Sequence, residues 1–90
     1  MKFRKISNIN LSYAKQGQIF FTLANYTDQP PNVKNRIDAL LSEAARGSPA
    51  YEKALRAWLL RGDDFDAVVQ RYYVRGGTLT EMRKRIYEEW

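Results

Sequence analysis

Apolar residues recur at helical spacing along the last two thirds of the chain, in blocks separated by glycine. Val33, Ile37, Leu40, Leu41 and Ala44 fall at i, i+4, i+7, i+8 and i+11, one face of a helix. Asn32 reads as its N-cap and Gly47 as its stop. Ser48 and Pro49 then restart the chain, a serine cap followed by a proline at the first helical position, where its missing N–H is not needed. Tyr51, Leu55, Trp58 and Leu59 form the next stripe, which ends at Gly62. Phe65, Val68, Val69 and Tyr72 follow at i, i+3, i+4 and i+7, opened by Asp63 and Asp64, whose carboxylates suit the free N–H groups and positive end of a helix. Leu79, Met82, Ile86 and Trp90 line the last face, and Thr78-x-x-Glu81 reads as its capping box. The spacing predicts helices divided at Gly47, Gly62 and Gly76–Gly77, with positive φ at Gly76 or Gly77 and a core drawn from these stripes.

The first third reads differently. Residues 1–12 alternate Phe3, Ile6, Ile9 and Leu11 with Lys2, Arg4 and Lys5, and their Asn and Ser content disfavours helix. Lys15, Gln16 and Gly17 resemble a turn, and the β-formers of residues 18–26 suit a strand pairing back on the first segment. The same letters fit a buried helix, because Ile19, Phe20 and Leu23 share one helical face. Pro30 and Pro31 break the chain. The expected fold is therefore mainly α: a small helical bundle over residues 32–90 with a C-terminal helix-turn-helix, preceded over residues 1–31 by a β-hairpin or extended arm, the whole forming one domain.

Composition narrows the chemistry. The 90 residues contain neither cysteine nor histidine, so disulfides, thiolate catalysis and the commonest general base and zinc ligand are all missing. Gly76–Gly77 lacks the setting of a phosphate loop, and Asp63, Asp64 and Asp66 lack the calcium-loop spacing. No enzymatic activity, cofactor or metal is expected. No apolar run is long enough for a membrane span or signal peptide, which makes the cytoplasm the default location. The net charge of +5 favours an acidic partner, though residues 61–90 are balanced, six basic against six acidic. Within them, residues 71–85 hold five basic residues against Glu81 alone.

VVQRYYVRGGTLTEMRKRI, residues 68–86, resembles the helix-turn-helix of many small bacterial and phage DNA-binding proteins. Val69 takes the mid-helix place, Val74 the closing one, Thr78 and Leu79 the opening of the second helix, and Met82 the next inward position. The chain departs from that pattern at Tyr73, where glycine is usual; a bulky residue there is strained if φ is positive. The turn then falls at Gly76–Gly77, or the segment is a plain helical hairpin.

The resemblance implies a transcriptional regulator that reads double-stranded DNA, commonly as a homodimer on paired half-sites. Thr80, Arg83, Lys84 and Tyr87 are the candidates on the open face of the second helix. Thr78, Arg71 and Arg75 are candidates for phosphate contacts. The basic N-terminal arm reads either as a minor-groove contact or as a solvated end. The other function class is a protein-interaction module using Tyr72, Tyr73, Tyr87 and Trp90. RNA binding lacks an aromatic-rich motif.

Overall fold

The structure is a computed structural model that describes Lys5, Ile6 and residues 9–90. Helix α1 (Tyr13–Ala24) is followed by a 3₁₀ turn (Tyr26–Asp28) and by α2 (Pro31–Ala44). Helix α3 (Pro49–Leu55) runs on into a π-helical turn (Arg56–Leu60). Helices α4 (Phe65–Tyr72) and α5 (Gly76–Glu89) complete the chain. The described residues contain no β-strand.

Helix α1 corrects the expected hairpin. Residues 1–4, 7 and 8 of the expected arm lie outside the described residues, but the proposed turn and second strand do not. Ser12 accepts the N–H of Lys15 as an N-cap, so Lys15, Gln16 and Gly17 lie inside the helix, and Ile19 and Leu23 are buried on its inner face. Propensity yields here to burial. Gln16 supplies what a neighbouring strand would have supplied. Fully buried, its side-chain carbonyl accepts from the N–H of Ile6 at 2.6 Å, and its amide donates to the carbonyls of Ile6 at 3.2 Å and Leu11 at 3.0 Å. One side chain thus satisfies both backbone groups of Ile6.

The later helices follow their stripes. Ile37, Leu40, Leu41, Ala44, Leu55, Val68, Leu79 and Ile86 are buried, with Val33, Trp58, Leu59, Phe65, Val69 and Met82 packed partly buried against them. Helix α2 starts at Pro31 rather than after Asn32, because proline already holds the φ of a first helical residue. Ser48 caps α3 and Asp64 caps α4, as their positions predict. Asp63 has another use: its carboxylate takes the guanidinium groups of Arg71 at 3.2 Å and Arg61 at 3.8 Å.

The link between α4 and α5 departs from expectation in an informative way. The left-handed residue is Tyr73, at φ 55° and ψ 44°, and its N–H closes α4 on the carbonyl of Val69. Gly76 and Gly77 open α5 instead of turning into it, and Arg75 is the cap residue, without a side-chain bond. The expected box between Thr78 and Glu81 therefore does not exist, because both residues already lie beyond the first helical position. The turn is Tyr73-Val74-Arg75, with Val74 buried and the N–H of Arg75 donated to the Tyr51 hydroxyl at 3.1 Å. Gly76 lies close under Phe65: a Cβ there would stand 3.1 Å from the edge of the ring.

Helices α2 and α5 pack antiparallel. Arg36, early in α2, donates to the last carbonyls of α5, Glu89 at 3.0 Å and Trp90 at 2.8 Å, while Ala44 at the end of α2 borders the start of α5.

Tyr73 is 95% exposed, so its ring contributes little packing while its backbone is held in a conformation that disfavours a Cβ. Tyr73→Gly is expected to stabilise the fold by about 1 kcal/mol, read as a higher urea midpoint at unchanged slope.

Candidate nucleic-acid interface

Helix α5 presents two faces of opposite character. Leu79, Ile86 and Tyr87 point inward and are buried. Gly77, Glu81, Arg85 and Glu88 are exposed on the other side, with Thr78 and Lys84 half-buried beside them. Together with Arg75, Ala44 and Arg46 these residues border an open cleft of about 660 Å³ between the end of α2 and the first three turns of α5.

Two of the candidate residues do not belong to that face. Tyr87 is 3% exposed, and burial pushes its phenol above its ordinary pKa, an effect partly offset by the positive charge of Arg83. Arg83 lies over the ring of Trp58, with 4.6 Å from the guanidinium carbon to the ring centre. Its Nε is buried with no hydrogen-bond partner, and desolvation holds its pKa below the ordinary arginine value, with the field of Tyr87 acting the other way. The spacing of Leu79, Arg83, Ile86, Tyr87 and Trp90 explains both corrections: i, i+4, i+7, i+8 and i+11 is the buried stripe, and arginine's stem and flat head let it fill a place among aromatics. The Trp58 ring in turn packs against Phe65, with ring centres 4.8 Å apart and planes tilted by 59°, and Phe65 lies close to Gly76.

The remaining candidates divide. Arg71 is exposed but engaged with Asp63, and hydrogen bonds to Tyr72 and Asp63 raise its pKa. The Thr80 hydroxyl donates to the carbonyl of Gly77 at 2.8 Å, which turns it toward its own helix. Arg75, Thr78 and Lys84 do meet in the cleft. Arg46 joins them from the end of α2, brought there by left-handed geometry at Arg46 (φ 52°) and Gly47 (φ 78°). Its signal in the sequence was weak, a cation beside a helix-ending glycine. Of the aromatics considered for a protein interface, Tyr73 is fully open, Tyr72 and Trp90 are half-buried, and Tyr87 is closed off.

Several arginines outside this cleft are engaged. Arg56 bonds Asp38 at 3.0 Å and reaches Glu52 at 3.5 Å; burial opposes its charge, but the bonds to Asp38 and Tyr26 outweigh it and raise its pKa. Asp63 takes Arg61 and Arg71, and Arg36 caps α5. Among the described residues, Arg46, Arg75, Lys84 and Arg85 have no carboxylate within 4.0 Å. Glu81 and Glu88 share the face and are equally unpaired. No described group of acidic residues is arranged to hold a metal ion. No described helix is long and apolar enough to cross a membrane.

No protein-family model, curated protein or solved structure matches the chain.

Because the folded state raises the Tyr87 pKa, the stability tied to its burial is complete below the unfolded value of about 10 and declines as pH rises through the folded value. Alkaline unfolding followed by circular dichroism should show that decline, and Tyr87→Phe should flatten it.

Proposed function

We propose that this chain is a non-enzymatic duplex-DNA-binding protein that uses α4, the Tyr73–Arg75 turn and α5 as a helix-turn-helix. The observation that carries the reading is the convergence of four cations without acidic partners, Arg46, Arg75, Lys84 and Arg85, on one open cleft at the start of α5. Unpaired cations on a shared surface are what a phosphate backbone rewards, because each contact releases condensed counterions. The geometry of the segment agrees: a short turn with a left-handed residue, an inward valine and leucine on either side of it, and a second helix with one face open. A role in transcription regulation, and pairing of two copies on two half-sites, are what the resemblance to small bacterial and phage DNA-binding proteins supports.

Arg83, Tyr87 and Arg71 leave the contact set, and Arg46 joins it beside Arg85, which belongs to the basic cluster of residues 71–85. Arg83 then acts as a packing residue whose loss weakens the fold. The reading as a protein-interaction module draws on Tyr73 and on the acids Glu81 and Glu88, which suit a partner with charges of both signs.

Binding to random duplex DNA across a salt series tests the proposal. If Arg46, Arg75 and Lys84 meet phosphates, the log–log slope should be about −2.7, and Arg75→Ala or Lys84→Ala should each flatten it by about one unit. Arg83→Ala should lower the unfolding midpoint and leave the slope unchanged. A wild-type protein with no salt-dependent affinity for duplex overturns the DNA reading in favour of a protein partner.

A further inference from the structure

Glu81 has no structural task. The position that looked like the acid of a capping box lies well inside α5, whose first helical residue is Gly76. Its carboxylate has no ion-pair partner among the described residues and no hydrogen bond, and its side chain stands exposed on the cleft face. An acid in a cleft built of cations repels phosphate, so it weakens any purely electrostatic grip on DNA.

Arg85 sits one turn further along the same face, also exposed and unpaired. A glutamate four residues before an arginine is the favourable order for an ion pair on a helix. Glu81 and Arg85 do not close to within 4.0 Å, which leaves an acceptor-only group and a donor-only group side by side on open helix surface. Along the axis they are separated by roughly 6 Å, four residues of about 1.5 Å rise. That distance is comparable to one or two base steps of about 3.4 Å. In the major groove a carboxylate accepts from the cytosine N4 amine, and a guanidinium donates in a fork to guanine O6 and N7.

We infer that Glu81 and Arg85 are the specificity-determining pair of α5, Glu81 reading a cytosine and Arg85 a guanine one or two steps away in the major groove. The inference rests on the DNA-binding reading given above. Arg46, Arg75 and Lys84 then hold the backbone, and the repulsion that Glu81 adds against phosphate becomes a penalty on every sequence lacking the amine.

Selection from a pool of randomised duplexes, followed by titration of the enriched and the random duplex, tests this with wild type, Glu81→Gln and Arg85→Ala. Both side chains are exposed, and matching thermal melts verify that the variants are folded. Wild type is expected to enrich a cytosine and a guanine within two steps, with a preference on the order of 10- to 100-fold over a wrong base. Glu81→Gln should lose the cytosine preference, keep the guanine, and bind random duplex more tightly. Arg85→Ala should lose the guanine. Enrichment unchanged in Glu81→Gln overturns the inference, as does a uniform gain in affinity on all sequences, which would leave Glu81 as a repulsive charge only. Salt-dependent binding by wild type without any sequence preference overturns this pair and leaves the DNA reading standing. Absence of duplex binding by wild type removes both.

Discussion

The C-terminal half of the fold depends on one column of contacts. Arg83 lies on Trp58, Trp58 on Phe65, and Phe65 against the bare backbone of Gly76. The column begins and ends in α5 and passes through the π turn and the first residue of α4, so it fixes where α5 starts and how it is rotated. Its placement also bears on which basic residues remain available to a partner: Arg83 is held against Trp58 while Arg85 is exposed. Desolvating a guanidinium with an unpaired Nε is unfavourable by itself, and the face of a tryptophan is the group best able to offset it.

Acidic residues complete the arrangement from a distance. Asp38 holds Arg56 and the hydroxyl of Tyr26, Glu52 supports it, and Asp63 gathers Arg61 and Arg71. These contacts are partly solvated, so each is worth little as stability. Their effect on charge distribution is larger. A chain whose last third has no net charge still gathers four cations against two acids, Glu81 and Glu88, in the cleft along α5.

The parts of this fold legible in the sequence are those written in apolar period and simple caps. Ile37, Leu40 and Leu41, the Ser48–Pro49 restart, the Asp64 cap and the stripe from Phe65 to Val68 all appear where their spacing puts them. What was not legible depends on contacts distant in the chain. Helix α1 carries strand-like letters, and its identity rests on Ile19 and Leu23 meeting a core built by later residues and on Gln16 reaching back to Ile6. The turn lies at Tyr73, where Phe65 packs close to Gly76 and Tyr51 holds the N–H of Arg75. Neither contact is visible locally. Of the candidate site, Arg75 and Lys84 were recognisable from the charge cluster and Thr78 from the helix-turn-helix resemblance, whereas polarity alone could not show that Tyr87 is buried and that Arg83 lies half-buried over Trp58.

The π turn at Arg56–Leu60, closed by the N–H of Arg61 on the carbonyl of Arg56, amounts to one residue more than a regular helix would spend on the same rise. That surplus residue changes the direction in which everything downstream is delivered. Within this turn Ala57 is buried, Trp58 meets Phe65, and the same segment touches α1. Removing a single residue from this loop of backbone would restore ordinary helical phase and rotate the later half of the chain by about a quarter turn, since a helix turns once per 3.6 residues. Length, as much as chemistry, is therefore under constraint here: residues 56–60 should accept many substitutions of similar shape yet tolerate no deletion.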